Sequence, residues 1–193
     1  MTPPVDPKTA ALLVMDFQTA VVEMIAIDQE GLLARTAALI DAARHAEVRV
    51  VYVVVAFRDG YPEVSARNAS FGRLKGGGLF LEGSPSTQVH AAVAPKPGEP
   101  VVTKRRVSAF AGTDLEMILR AKGVDTLILA GLATSGVVLS TVRHAADADY
   151  RLVVVEDCCG DRDAEVHRVL MDKVFARQAT VTQASDVIAA LRG

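Results

Sequence analysis

The chain has 193 residues, of which 50% are hydrophobic and 23% charged, with a formal net charge of −2. That length suits one domain, residues 1–193, with a substantial core, and the near balance of 21 Lys+Arg against 23 Asp+Glu leaves no basic stripe for a nucleic-acid partner. Thr2-Pro3-Pro4 stands where a signal peptide needs a basic then apolar stretch, and every apolar run is strand-sized, so a cytoplasmic protein with no membrane partner is expected.

Short β-branched runs then alternate with helical patterns. A first strand is read over Ala11–Met15, followed by a helix over Gly31–His45 and a second strand over Val48–Val55. The second strand is apolar on both faces, which is how a parallel strand covered by helices on each side reads. Residues Phe57 to Pro97 break the rhythm with Pro62, Gly72, Gly76-Gly77-Gly78, Gly83, Pro85, Pro95 and Pro97. Connections of this length serve as lids, binding loops or subunit contacts. Its Arg58, Tyr61, Arg67 and Phe71 could clamp a carboxylate or stack on a planar ligand, and packing on a neighbouring subunit is the alternative. Strands over Pro100–Thr103, Thr126–Ala130, Leu152–Glu156 and Thr180–Thr182 follow, interleaved with helices over Thr113–Lys122, Ser135–Ala148, Ala164–Arg177 and Ser185–Arg192.

This alternation predicts a doubly wound α/β fold, a three-layer αβα sandwich around a six-stranded, mainly parallel sheet. Such sheets bind ligands beyond the carboxyl ends of their strands. Asp16, Lys104, the Gly131–Val137 turn and Asp157 would all emerge on that edge. Asp16 closes an apolar strand, where burial would raise its pKa and a nearby lysine lower it; the residue alone fits either a proton carrier or a cap of the following turn. Lys104, in a Lys-Arg-Arg run, reads by itself as a surface residue. The adjacent Cys158 and Cys159 exclude a conventional disulfide framework and a cysteine-based metal site. The four histidines show no ligand spacing, and His144 and His167 fall in helical patterns as surface or packing residues.

Leu129-Ala130-Gly131-Leu132-Ala133-Thr134-Ser135-Gly136-Val137-Val138-Leu139-Ser140-Thr141 resembles the strand-loop-helix signature of the isochorismatase-like cysteine hydrolases. That signature runs Gly, apolar, small, Thr, two variable residues, Cys, Val, two variable residues, Thr. The strand delivering Asp16 and Gln18, the lysine segment Val101–Leu115 and the step from Tyr150 to Asp157 resemble the same family in order.

The resemblance implies a sheet ordered 3-2-1-4-5-6, with Asp16 as proton shuttle and Lys104 beside it. Gln18 and Phe110 would belong to the pocket, while Arg58 and Tyr61, read from the long loop itself, are the candidate substrate contacts. It also implies a cis peptide at Leu132–Ala133, and backbone N–H groups of Ala133 and Val137 forming an oxyanion hole. Relatives of this kind associate, so a homodimer or higher homo-oligomer is expected, with a small-molecule substrate as the other partner. No cofactor is expected. Nicotinamidases, in the same superfamily, place an Asp and histidines after the second strand, whereas Phe57-Arg58-Asp59-Gly60-Tyr61 offers one carboxylate and no nearby His, so no catalytic metal is expected.

The departure is Val137, which stands where the family has its nucleophilic cysteine and cannot attack a carbonyl. Ser135 and Ser140 flank that position and would point elsewhere, and Cys158 and Cys159, just past a strand, read as small semi-buried side chains. Three readings follow. The chain is a hydrolase of a small acid, amide or ether that works by Asp-driven acid/base chemistry without a thiol, as true isochorismatases do. Or it is a catalytically inactive relative that binds a small molecule as a sensor or accessory subunit. Or it serves as a structural partner through its apolar surface and long loop.

Overall fold

Strands β1 (Ala10–Met15), β2 (Arg49–Val55), β3 (Val101–Lys104), β4 (Thr126–Leu132), β5 (Arg151–Gly160) and β6 (Thr180–Thr182) form one sheet. They lie in the order β3-β2-β1-β4-β5-β6, with every neighbouring pair parallel, as expected. The computed structural model describes residues 5–25, 28–74 and 77–192; Thr2-Pro3-Pro4 and Gly76 of the glycine run lie outside the described residues. Helices α1 (Thr19–Ile25), α2 (Gln29–His45), α3 (Leu115–Ala121), α4 (Leu139–Asp147), α5 (Ala164–Val169) and α6 (Ala184–Arg192) cover the faces.

Alternation along β1 divides the core. Leu12 and Val14 enter one layer with Leu39 and Ile40 of α2 and Val187 and Leu191 of α6. Leu13 and Met15 enter the other with Leu115 and Leu119 of α3 and Val142 of α4. Each such side chain stabilises the fold by about 1.5–3 kcal/mol when fully buried, which fixes the register and hence the residue that leaves the end of each strand. Among the described residues, no helix is long and apolar enough to cross a membrane.

Several boundaries differ from the sequence reading for identifiable reasons. Helix α1 was not anticipated: its seven residues carry no acidic residue in the first turn and no basic one in the last, so the usual start and stop signals are missing. Helix α2 begins at Gln29 because the Asp28 carboxylate accepts from the Gly31 N–H at 3.0 Å and closes the first turn. The stretch read as one helix from Ser135 opens with a wide π turn over Thr134–Val138 before α4. The helix read to Arg177 is α5 followed by a π turn, Leu170–Val174, and a short tight turn, Phe175–Arg177. Strand β5 runs on to Gly160 after a register shift against β4 between Leu129 and Gly131. Cys158 and Cys159 therefore lie inside the strand rather than beyond it, and both are buried.

The long connection from Phe57 to Pro97 packs on its own domain. The Phe57 ring meets Tyr61 at 5.8 Å and Phe71 at 5.2 Å. Its backbone bonds in both directions, N–H to the Phe80 carbonyl at 2.8 Å and carbonyl from the Glu82 N–H at 2.9 Å. Ion pairs from Arg105 to Glu63 and Glu82 tie the connection to the segment just after β3.

Candidate active site

Asp16 leaves β1 at a backbone φ of 58°, a left-handed conformation that a non-glycine residue adopts at a cost. Its N–H donates to the Val53 carbonyl of β2 at 2.8 Å, which anchors that conformation. The side chain is 6% exposed, and one carboxyl oxygen, Oδ2, lies 2.8 Å from the Lys104 ammonium. Lys104 reaches from the end of β3 past β2, is 2% exposed, and also donates to the Arg106 carbonyl at 3.2 Å. A buried ammonium in this setting requires a partner of opposite charge. The other carboxyl oxygen, Oδ1, is buried with no hydrogen-bond partner. Burial pushes the Asp16 pKa above the ordinary carboxylate range, and the Lys104 charge opposes that rise without cancelling it. The arrangement leaves a carboxyl tied to Lys104 through Oδ2, with Oδ1 open to exchange a proton.

The turn after β4 is drawn against β1 by Gly131. A Cβ there would lie 3.1 Å from the Met15 Cβ, 3.1 Å from the Val138 Cγ2 and 3.2 Å from the Met15 carbonyl oxygen. Only glycine lets the two strands and the following helix approach so closely. The Leu132–Ala133 peptide is cis, as expected. Val137 is 2% exposed and packs in the second core layer, so its side chain is surrounded by hydrocarbon. Ser135 is exposed, and its N–H donates to Asp161 Oδ2 at 2.7 Å. The Thr134 hydroxyl pairs with His167 Nδ1 at 2.8 Å.

These last two contacts were missed. His167 is not simply a packing residue, and Asp161 is more than part of a loop: together they brace the turn from the segment after β5. They lie 33 and 26 positions from their partners. The only local signal nearby is Asp163, which caps α5 by accepting from the Glu165 and Val166 N–H groups.

Other expected site residues serve the scaffold instead. Gln18 is fully buried; its amide donates to the Val55 and Thr87 carbonyls at 2.9 and 3.0 Å and accepts from the Val55 N–H at 2.8 Å. It clamps β2 to the long connection and has little hydrogen-bonding capacity left for a ligand. Phe110 stacks on His144 of α4 with centroids 4.6 Å apart and lies 6.0 Å from Tyr150, which precedes β5 at the opposite end of the sheet from Asp16. Tyr61 is buried and its hydroxyl donates to the Leu79 carbonyl at 2.9 Å. Arg58 is exposed and pairs with Glu63 at 2.7 Å. Asp157 accepts from the Ala184 N–H at 2.7 Å and thereby starts α6.

The two cysteines are poorly placed to act as nucleophiles. Burial pushes the Cys158 thiol up to about 12 and the Cys159 thiol higher still, which keeps both protonated and unreactive. Among the described residues, no group of three or more His, Cys, Asp or Glu side chains is placed to hold a metal ion.

The geometry agrees with comparison to known proteins. The isochorismatase domain family matches residues 10–186. Maleamate amidohydrolase from Pseudomonas putida is 36% identical over 113 residues, 58% of this chain; that match spans 53% of the relative, about half its length. Ureidoacrylate amidohydrolase from Agrobacterium fabrum is 30% identical over 209 residues, covering 94% of this chain and 91% of the relative. Among solved structures, an isochorismatase family protein from Burkholderia thailandensis superposes with a TM-score of 0.86 at 28% identity, covering 100% of both chains.

Proposed function

This chain belongs to the isochorismatase family, and from that premise we propose that it is a hydrolase of a small acid, amide or ether that works without a covalent enzyme intermediate. The observation that carries the proposal is the buried Asp16–Lys104 pair with Asp16 Oδ1 unpartnered.

In this reading Asp16 is the general acid. Its raised pKa keeps a proton on the carboxyl to higher pH than an ordinary aspartic acid would. With an amide substrate, Asp16 passes that proton to the departing nitrogen as water adds to the carbonyl carbon. With a vinyl ether, it protonates the terminal carbon, water adds to the resulting oxocarbenium-like ion, and the adduct breaks down to a carbonyl compound and an alcohol. Either way the carboxylate left behind is held by the Lys104 ammonium until it takes up the proton that the added water sheds, which restores the acid. Negative charge developing on a carbonyl oxygen would be met by the Ala133 and Val137 N–H groups, which depend on backbone geometry and are unaffected by loss of a thiol. General acid catalysis of this kind contributes about 10²–10⁴-fold.

The test follows ammonia released from maleamate and ureidoacrylate, the compounds in the relatives' names, and pyruvate released from enolpyruvyl ethers. Turnover that is unchanged by iodoacetamide and falls about 10²-fold or more in Asp16→Asn supports the proposal. One observation favours a binding role instead: Val137 and the two suppressed thiols leave the site with no nucleophile. A small-molecule sensor would bind one of these compounds saturably and turn over none of them.

A further inference from the structure

A cleft opens on the carboxyl edge of the sheet, between the start of α2 and the segment from the end of β5 into α5. It has a volume of about 160 Å³ and is lined by Asp28, Leu32 and Arg35 from the start of α2 and by Gly160, Asp161 and His167 from the end of β5 and from α5. Neither Asp16 nor Lys104 contributes to it. Its size suits a ligand of a few heavy atoms rather than a drug-sized one.

The polar groups around it are unevenly satisfied. Arg35 donates through Nε to the Asp157 carbonyl at 3.0 Å and through Nη2 to Asp28 at 3.4 Å, while its Nη1 has no acceptor among the described residues. His167 is bonded through Nδ1 to Thr134, and its Nε2 has no partner among the described residues. Arg35 Nη1 is therefore a spare donor, and His167 Nε2 donates or accepts according to the tautomer that its bond to Thr134 selects. Asp28 takes the Gly31 N–H and Arg35, and Asp161 takes the Ser135 N–H at 2.7 Å and the Asp163 N–H at 3.4 Å. A carboxylate offers about four lone-pair sites, so each keeps acceptor capacity.

Charge selects among ligands. One arginine and one histidine against two aspartates leave the lining without a surplus of positive charge. An anion that used the spare donor would face two carboxylates, and a cation would sit beside the guanidinium. A neutral carboxamide meets neither objection. Its carbonyl accepts from Arg35, its NH₂ edge donates to the carboxylates, His167 Nε2 meets whichever edge its tautomer suits, and an alkyl tail lies on Leu32.

We propose that this cleft is a second binding site, for a small neutral carboxamide, and that it is linked to the Thr134–Val138 turn through His167. Because one imidazole touches both the cleft and Thr134, occupancy is transmitted to the turn without any contact with Asp16. The proposal does not depend on the hydrolytic reading.

The experiment titrates the full chain with propionamide, propionate and propylammonium while following backbone amide signals by NMR. Propionamide is expected to shift the amides of Gly160, Asp161 and Thr134–Val138, with half-saturation at least about fivefold below that of either charged probe, the worth of one hydrogen bond. Arg35→Met and His167→Phe, each checked for a native spectrum, are expected to weaken it about fivefold or more; Asp16→Asn leaves it unchanged. Equal response to all three probes overturns the proposal, as does tighter binding of propionate. It is also overturned by insensitivity to both cleft variants, or by shifts that centre on Asp16 and Lys104 and vanish in Asp16→Asn.

Discussion

Replacing Val137 by cysteine places a thiol in the turn after β4, on the sheet edge where Asp16 and Lys104 also leave their strands. Val137 is 2% exposed and surrounded by core side chains, so Val137→Cys removes a little hydrocarbon and should cost about 0.5–1.5 kcal/mol, the range for losing one buried methyl. The chemical effect should be larger. A free thiol with a pKa near 8.5 is about one tenth thiolate at pH 7.5. A nearby ammonium and a helix N-terminus hold such thiols at about 3.5–7.5, and a pKa of about 6.5 would make the group about nine tenths thiolate. Alkylation by iodoacetamide should then run nearly tenfold faster than for an unperturbed thiol, less some loss of intrinsic nucleophilicity. The background is low, because Cys158 and Cys159 are buried and their thiols are pushed far up. The assay is the pH dependence of alkylation, with the adduct located by mass spectrometry. A pKa of about 8.5 or above, together with no adduct from activated esters, would refute the view that Asp16 and Lys104 serve this turn.

Four further outcomes are expected. Turnover should be highest where Asp16 is protonated and should fall as pH rises through its raised pKa, a limb that Asp16→Asn removes with the activity; a rate that instead rises through that region would make Asp16 a base. Lys104→Met leaves a buried carboxyl without its counter-charge and should destabilise the fold by about 3–5 kcal/mol where Asp16 stays ionised. Asp16 can escape by protonating, so urea melts should show that loss shrinking as pH falls. Gly131→Ala puts a methyl 3.1 Å from the Met15 Cβ and the Val138 Cγ2, which should cost about 1–3 kcal/mol by overpacking; a thermal melt equal to the parent's would show that the strands yield. The chain should be a homo-oligomer, a dimer in the first instance, since the family resemblance and the aliphatic-rich composition both point that way. Light scattering that returns the mass of one chain at micromolar concentration would contradict it.

The layers of the fold were legible because each strand is a short apolar run with a fixed two-residue period. Val50-Val51-Tyr52-Val53-Val54-Val55 can be buried on both faces only in a covered parallel sheet, and six such runs separated by helical stretches leave few alternatives. Boundaries were less legible where local signals were silent. The end of β5 depends on a shifted register against β4, a long-range pairing that Glu156-Asp157-Cys158-Cys159 does not announce. The π turn at Thr134–Val138 is likewise set by where β4 delivers the chain beside Met15, and no propensity in Thr-Ser-Gly-Val-Val encodes it.

The same distinction governs the candidate site. Asp16 and Lys104 were legible because a motif fixes each at a strand end, and strands of a parallel sheet all end on one edge. Gln18 and Phe110 were placed in the pocket by the motifs around them, but a side chain's target depends on the neighbour it meets. Gln18 meets the Val55 carbonyl of β2 and the Thr87 carbonyl that only the folded connection supplies, and Phe110 turns toward His144. Tyr61 shows the limit most plainly. Its sequence context suggests a ring offered to a ligand, yet a buried phenol must find an acceptor, and the nearest one is the Leu79 carbonyl of its own connection. His167 and Asp161 went the other way, unremarkable in sequence until α5 brought them against the turn. Contacts that satisfy the hydrogen bonds of a distant turn leave no periodic trace in a sequence, so the brace around the Thr134–Val138 turn became visible only in three dimensions, while a valine where the resemblance expects a cysteine could be read from the residues alone.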